Sequence, residues 1–419
     1  MGAFRHDISG CFSTGLTPDE YKTLLGSYGH HAGAVAQQLL DGHLPMLSIC
    51  QQSDDLPTIQ NAATAMLKRA RRLHILGAGG SSLTGQALAG LLPAQTNPLY
   101  FIETIDPWAF RNWLSNLDFT QDHILIISKS GGTLETLAQA YLLLEHLVQL
   151  PGAPAPSECI TMVSDPKDNP LRRLARAHGI PVLEHPATIG GRFSLFTIVA
   201  LLPAAFAGLD IAAFRAGAEH TLQEFLANPD SSAALEAATL HHLLQQRGKT
   251  QMVSLPYADR LQGYNRWARQ VWAESLGKGG NGTTFIDAIG PADQHSQLQL
   301  YLDGPADKWF TLFYTGAENN TLPLPDSLDK TLDYMRGSSL DRIFFAEAEA
   351  TYQTLQQHVI PVRRFLLDTI NEASLGALSS QLMLETILMG KIYGINTFDQ
   401  PAVEQGKRLA REALKEQRA

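Results

Sequence analysis

Two loops rich in hydroxyl groups and glycine could each bind an anion. The first spans Ser128–Thr136 (SKSGGTLET) and follows the apolar run HILII, which predicts a buried strand. The residues after Thr133 have the period of an amphipathic helix. Such a loop can direct hydroxyls, backbone N–H groups and the positive end of a helix at a phosphate. An ordinary strand-to-helix turn with a Ser or Thr cap would have a similar composition.

The second loop, Gly77–Ser82 (GAGGSS), also follows a predicted strand and opens a predicted helix. It nearly matches the fingerprint of dinucleotide-binding proteins, and Glu103 lies where an acid that binds the ribose would be expected. The third glycine of that fingerprint is replaced by Ser82, however. Because both loops would end neighbouring strands of one sheet, they can converge on one phosphate, and the sequence favours a phosphate over a nicotinamide dinucleotide.

Two further motifs contain side chains suited to proton transfer beside a carbonyl group. Gln270 and Glu274 are four residues apart on a predicted helix, so they share a face. A glutamate facing a cleft could act as a general base, whereas one on an exposed face would only be solvated. Arg192 follows paired glycines that let the backbone approach closely. It could stabilise a developing oxyanion or form a structural ion pair.

A histidine and a lysine complete the set of candidates. His295 lies where another helix is predicted to begin, and the positive end of that helix favours the neutral imidazole. A neutral imidazole can exchange protons near neutral pH, although a histidine at a helix start need not bind a ligand. Lys407 stands at the start of the charged terminal helix, where it could reach an anion or a hydroxyl, or simply be solvated.

The composition indicates a well-packed enzyme of two or three domains. Of 419 residues, 44% are hydrophobic and 17% are charged, which argues against disorder. The formal net charge is -9 and no basic stripe is present, so we expect no nucleic-acid partner. Three widely spaced cysteines suggest a reducing, cytoplasmic location. No motif predicts a metal site, a membrane span or a signal peptide.

The order of predicted elements indicates an α/β protein. Residues 1–60 are predicted to contain helices and loops, and strands alternate with helices from about residue 70. That alternation predicts parallel sheets covered on both faces, with ligands at the carboxyl ends of the strands. After a helical stretch at 194–247, a second α/β pattern begins, in which DRIFFAEA (341–348) is predicted to be a strand. A charged helix ends the chain.

Taken together, these motifs resemble those of the glucose-6-phosphate isomerase family. The resemblance covers roughly residues 60–410. It rests on the two loops and on four further motifs in the family's order: GGRFS (190–194), QVWAESLGK (270–278), DQHSQLQL (293–300) and FDQPAVEQGK (398–407). It implies a glycolytic and gluconeogenic aldose–ketose isomerase that acts on a sugar phosphate without a metal or cofactor.

The resemblance also implies an architecture and a set of roles. We expect a helical segment at 1–60, sugar-isomerase (SIS) α/β domains at 61–207 and 208–394, and a helical arm at 395–419, assembled as a homodimer whose sites lie between the subunits. The phosphate would be surrounded by Gly80, Ser81, Ser128, Lys129, Ser130, Thr133 and Thr136. Glu274 would move a proton between C2 and C1 while Arg192 faces the enediolate. His295 of the second subunit and Lys407 would assist ring opening, and Gln270 and Gln400 would hold sugar hydroxyls.

Three alternatives remain open at this stage. A sugar-phosphate sensor on the same fold would need the two loops but not Arg192, Glu274, His295 and Lys407 together. An isomerase acting on both glucose and mannose phosphates would have the same motifs. A nicotinamide dehydrogenase is weakened by Ser82.

Overall fold

The computed structural model describes residues 3–93, 96–316 and 322–416. The strands of these residues are β1 Phe4–Asp7, β2 Arg72–Leu76, β3 Leu99–Ile102, β4 Asp122–Ile127, β5 Ile160–Ser164, β6 Val182–Glu184, β7 Gln251–Pro256, β8 Thr284–Asp287, β9 Lys308–Thr315 and β10 Val362–Leu367. The helices are α1 Pro18–Leu40, α2 Pro45–Ser48, α3 Leu56–Leu67, α4 Gly80–Ala89, α5 Pro107–Ser115, α6 Leu134–Gln149, α7 Pro156–Cys159, α8 Pro170–Ala177, α9 Ile198–Ala207, α10 Ile211–Ala227, α11 Ala233–Gln246, α12 Gln262–Leu276, α13 Gln294–Asp303, α14 Leu340–Gln357, α15 Glu372–Tyr393 and α16 Glu404–Glu416.

The first sheet has the order β3-β2-β4-β5-β6, and all of its paired strands are parallel. Every residue of the central strand β4 is buried, as expected for a strand covered by helices on both faces. Leu76 at the end of β2 is in register with Ile126, near the end of β4. The loops that follow β2 and β4 therefore leave the sheet side by side at its carboxyl edge, which confirms the predicted arrangement.

The second sheet has the order β1-β10-β9-β7-β8. Strands β10, β9, β7 and β8 are parallel, and β1 is added antiparallel at the edge beside β10. The prediction of helices and loops throughout 1–60 is therefore wrong for Phe4–Asp7, which belongs to the second sheet. Four residues are too few to show a strand period, and this strand is stabilised by its pairing with a segment far along the chain.

The helix α15 forms the centre of the second half of the fold. Its residues Ser374–Gly390 are all buried, and glycines bring it close to α10. A Cβ on Gly376 would lie 1.9 Å from the Phe214 carbonyl oxygen, and a Cβ on Gly217 would lie 1.9 Å from the Ala373 carbonyl oxygen. Any larger residue at either position would push the two helices apart.

The predicted strand at 341–348 is also wrong, because these residues belong to α14. The buried residues of α14 are Ala348, Thr351, Tyr352 and Leu355, a spacing that follows one face of a helix. The short apolar run Ile343–Phe345 resembles a strand only when the residues after it are ignored. Within the described residues, none of the helices is both long and apolar enough for a membrane crossing.

Candidate active site

The loop after β2 is pressed against the turn that carries Arg192. Gly79 has a φ of +56°, and α4 begins at the next residue. A Cβ on Gly80 would lie only 2.2 Å from the carbonyl oxygen of Gly191, so glycine is required at this contact. This contact fixes the position of the half-buried Ser81 relative to the 3₁₀ helix Gly191–Phe196.

The loop after β4 is shaped by a glycine with a left-handed backbone. Gly131 has a φ of +59°, and a Cβ there would lie 1.9 Å from Oδ1 of Asn169. Asn169 cannot easily move, because its Oδ1 accepts a hydrogen bond from the Arg172 backbone N–H and its Nδ2 donates to Ser164 Oγ. The loop is thus fastened to the start of α8 by Gly131.

Within this loop the hydroxyl groups turn towards one another at the start of α6. Ser128 Oγ and Thr133 Oγ1 are 3.0 Å apart, and the Gly132 backbone N–H donates to Ser130 Oγ at 3.3 Å. Thr133 precedes α6 but does not cap it with its side chain. The first N–H groups of a helix have no partner within the helix, so this end of α6 can accept an anion.

Two other predicted phosphate ligands lie deeper. The Thr136 hydroxyl is buried and has no hydrogen-bond partner among the described residues. Lys129 is half-buried, and burial lowers the pKa of its ammonium group, while the nearby Asp165 opposes this shift and Lys167 adds to it. Its backbone carbonyl accepts a hydrogen bond from the Asp165 N–H at 3.0 Å.

Arg192 is the centre of a buried hydrogen-bond network. The residue is 3% exposed. Its Nε donates to Ser275 Oγ at 2.8 Å, and its Nη2 donates to the Thr397 carbonyl oxygen at 2.6 Å. Its Nη1 lies 3.2 Å from Glu274 Oε2 and donates to Gln400 Oε1 at 2.8 Å. One guanidinium group thus joins α12 to the segment that leads into the terminal helix.

The charge of Arg192 is balanced by Glu274. Burial lowers the pKa of Arg192, and the Glu274 carboxylate opposes that shift, so the guanidinium group keeps its charge. Glu274 is only partly exposed, and its Oε1 accepts a hydrogen bond from Gln270 Nε2 at 2.8 Å. The same Gln270 nitrogen lies 3.0 Å from the place where a Cβ of Gly79 would stand. The first loop, the carboxylate and the arginine therefore meet at one place.

Lys407 and His295, the other two predicted catalytic residues, are exposed, in contrast to the buried Arg192. Lys407 on α16 is exposed, forms an ion pair with Glu404 at 2.7 Å, and lines a cleft together with Ser130 and Thr133 of the second loop. His295 lies in the first turn of α13, as predicted, and its side chain is exposed. No hydrogen bond within the described part of the chain joins the His295 side chain to Glu274 or Arg192.

Sequence reasoning missed the groups that hold Arg192 in place. Ser275, which accepts a hydrogen bond from Arg192, is fully buried. The Trp267 indole N–H donates to the backbone carbonyl oxygen of Arg192 at 2.9 Å. Ser275 lies beside Glu274 in a motif that was already notable, so adjacency was an available signal. The carbonyl groups of Thr397 and Asp399 left no such signal, because any residue type carries a backbone carbonyl.

Comparison with known proteins identifies relatives of this arrangement. The family described as phosphoglucose isomerase matches residues 60–290 and 335–419. A probable glucose-6-phosphate isomerase of Methanococcus maripaludis is 34% identical over 358 residues, which cover 83% of this chain and 79% of the relative. Identity at this level over most of both chains indicates common descent rather than a shared motif.

Solved structures agree with the sequence comparison. A hypothetical protein of Thermus thermophilus superposes with a TM-score of 0.89 at 30% identity, covering 98% of this chain and 99% of the other. A glucose-6-phosphate isomerase from Chlamydia trachomatis superposes with a TM-score of 0.79 at 20% identity, covering 96% of this chain and 86% of the other. The second likeness supports the fold alone.

Proposed function

The chain belongs to the phosphoglucose isomerase family, and from this premise we propose that it interconverts D-glucose 6-phosphate and D-fructose 6-phosphate in glycolysis and gluconeogenesis. The observation that carries the proposal is the contact of Arg192 with both Glu274 and Gln400, beside Gln270 and the two hydroxyl-rich loops. A buried cation next to a partly exposed carboxylate is suited to removing a proton from carbon beside a carbonyl group.

The proposed reaction begins with ring opening. One proton leaves the anomeric hydroxyl and another reaches the ring oxygen, and we assign both transfers to His295 and Lys407. Lys407 belongs to the cleft beside the phosphate loop. His295 is exposed and lies in the first turn of α13. An imidazole side chain can both accept and donate a proton in such a step.

In the second stage Glu274 removes the proton from C2 of the open aldose to form a cis-enediolate and returns it to C1. The proton of the C2 hydroxyl passes to the C1 oxygen in the same stage, which leaves the ketose. A carboxylate is a weak base for a carbon acid, so the negative charge that develops on the enediolate oxygens must be stabilised. The Arg192 guanidinium, already fixed by Ser275 and the Thr397 carbonyl, can do this without reorganising. Gln270 and Gln400 would orient the hydroxyls of the sugar chain.

The phosphate group anchors the substrate at a site distant from the reacting carbons. We assign the binding of this phosphate to residues of the two loops and the start of α6: Gly80, Ser81, Ser128, Lys129, Ser130, Thr133 and Thr136. Among the described residues the Thr136 hydroxyl has no hydrogen-bond partner, and the Thr133 side chain does not cap α6, which is consistent with an anion there. Anchoring one end of a flexible chain so that its reacting carbons meet the base can contribute up to about 7–11 kcal/mol in well-oriented systems.

We further propose a homodimer in which His295 reaches the site of the second subunit. The exposed position of His295, with no contact to Glu274 inside one described chain, supports this assembly. The test is to mix two inactive variants, Glu274→Gln and His295→Ala, after mild dissociation. Mixed dimers would contain one intact site, so about a quarter of the wild-type activity should return. No recovery, with mixed dimers confirmed by mass spectrometry, would place His295 in its own subunit's site.

We also propose that the protein works in the cytoplasm. Cys11, Cys50 and Cys159 are buried, and three cysteines far apart in the sequence provide no disulfide framework, which suits a reducing compartment. Cell fractionation of the source organism tests this proposal, and recovery in an extracellular fraction would contradict it.

The direct test of function uses purified protein and fructose 6-phosphate with no nucleotide and no added metal. The expected product is glucose 6-phosphate, identified by NMR. Mannose 6-phosphate formed at a similar rate would indicate an isomerase of dual specificity. Binding of the substrate without any product would indicate a sensor and would refute the proposal.

A further inference from the structure

A cleft of about 560 Å³ separates the loop after β4 from the terminal helix α16. Ser130 and Thr133 line it on the side of the loop. Lys407 and Arg411 line it on the side of the helix. They are four residues apart and therefore share one helix face. Arg411 belongs to none of the motifs discussed above, but the fold brings it to the open side of the proposed phosphate site.

The balance of charge at this cleft requires a further cation. The hydroxyl groups of the loop are neutral, whereas the phosphate of a sugar phosphate carries close to two negative charges at neutral pH. Burial lowers the pKa of the Lys129 ammonium, and Asp165 and Lys167 both lie near it. Glu135 also lines the cleft and would repel an anion. The neutral donors of the loop and Lys129, whose positive charge is partly offset by the nearby Asp165, would leave much of the phosphate charge uncompensated.

The two cations of α16 are not equally available. Lys407 Nζ is already paired with Glu404 at 2.7 Å. In the described part of the chain Arg411 forms no hydrogen bond or ion pair within 4.0 Å, although its charge helps to lower the pKa of Glu404. A guanidinium group presents several donors in a plane that matches phosphate oxygens in pairs. Arg411 therefore has both the geometry and the free donors for a phosphate.

We propose that Arg411 binds the phosphate of the substrate from the side of α16, opposite the Ser128–Thr133 loop. The proposal rests on the proposed function, because it takes that loop as the phosphate site. It assigns Arg411 to substrate binding rather than to proton transfer. It also assigns a role to α16, which is not explained by packing, since every described residue of this helix is exposed. A bound phosphate would connect the helix to the first domain.

The same helix provides a matched control. Arg408 is also exposed, but its Nη1 donates to Glu412 at 2.8 Å and it does not line the cleft. Substituting either arginine by glutamine removes one positive charge from α16. Neither change should alter folding, because both side chains lie outside the core, and thermal unfolding checks this.

The experiment measures binding of inorganic phosphate by calorimetry, together with KM and kcat for fructose 6-phosphate. Since a hydrogen bond to a charged group is worth roughly tenfold or more in affinity, Arg411→Gln should weaken phosphate binding and raise KM by about tenfold, with kcat nearly unchanged. Arg411→Lys should recover part of the loss, and Arg408→Gln should behave as wild type. Higher salt should narrow the difference between wild type and Arg411→Gln.

Unchanged phosphate affinity and KM in Arg411→Gln would overturn the proposal, as would an equal loss in Arg408→Gln. The two levels of inference fail separately. If the wild-type protein binds phosphate in an Arg411-dependent manner but makes no aldose phosphate, the isomerase function fails and the Arg411 site stands. If the wild-type protein isomerises fructose 6-phosphate without any dependence on Arg411, the reverse holds.

Discussion

Replacing Glu274 by glutamine should abolish most turnover while leaving the site folded. The amide has the size of the carboxylate, so its oxygen can still accept the hydrogen bond from Arg192 Nη1, now 3.2 Å from Oε2. Its new NH₂ group would face Gln270 Nε2, which donates to Oε1 at 2.8 Å. Gln270 can turn its own amide over, because its Oε1 is buried and has no partner among the described residues. The substitution therefore removes the base with little other change.

The size of the effect follows from the role assigned to the carboxylate. General-base catalysis typically contributes about 10²–10⁴ in rate, which is about 3–5 kcal/mol of barrier. We expect kcat to fall by this factor and KM for fructose 6-phosphate to stay within about threefold, because the phosphate anchorage is untouched. Glu412→Gln, which removes an exposed carboxylate from α16, should leave both constants unchanged.

The assay should follow two signals from the same reaction. A coupled assay reports formation of glucose 6-phosphate, and NMR in deuterated water reports loss of the carbon-bound proton of the substrate. Both should fall together in Glu274→Gln. If turnover falls but exchange of the carbon-bound proton continues at the wild-type rate, another group removes that proton and the reasoning is refuted.

The other predictions concern the loop, the arginine and pH. Arg192→Lys should lower kcat by about 10²–10³, because one ammonium group cannot keep the guanidinium contacts and face the enediolate, and steady-state kinetics will show whether kcat rather than KM changes. Gly131→Ala should raise KM and lower the melting temperature, because φ is +59° and the added Cβ would clash with Asn169. Gly132→Ala should change little, because its Cβ would have no neighbour nearer than 3.9 Å. Equal effects of the two substitutions would contradict this account. Lys129→Ala should raise KM more than it lowers kcat, and a change in kcat alone would remove it from the phosphate site. Burial lowers the pKa of His123 from 6.5 to about 4. The unfolded chain therefore binds this proton more readily, and the free energy of unfolding should be about 2 kcal/mol lower at pH 5 than at pH 7 from this residue, a difference that urea titrations of His123→Gln should lack.

Much of the candidate site could be predicted because its residues follow local rules. The segment around Ser128–Thr136 has an apolar strand, then glycines and hydroxyls, then an amphipathic helix. This local order is enough to predict that the loop lies at the carboxyl edge of a parallel sheet, where the structure has it. The spacing of Gln270 and Glu274 likewise puts them on one helix face, and their side chains are indeed hydrogen-bonded.

The features that sequence reasoning missed depend on contacts between distant segments. The strand β1 is four residues long and exists because Phe4–Asp7 pairs with β10. Strand β10 could not be predicted from its sequence pattern, because the adjacent Arg363 and Arg364 interrupt the apolar run. Arg363 can nevertheless be buried, because Glu385 of α15 forms an ion pair with it at 3.0 Å. A buried ion pair of this kind leaves no period in the sequence. Arg411 lines a cleft with Ser130 and Thr133 for a similar reason, since only the folded chain brings α16 beside that loop.

The most direct test of the central claim is a crystal structure of the protein with a phosphorylated six-carbon sugar acid that resembles the enediolate. The account predicts the phosphate between the Ser128–Thr133 loop and Arg411. It also predicts that a Glu274 carboxylate oxygen lies about 3–3.5 Å from the first two carbons, close enough to exchange a proton with either. A ligand bound with its phosphate elsewhere, or with those carbons beyond the reach of Glu274, would contradict it.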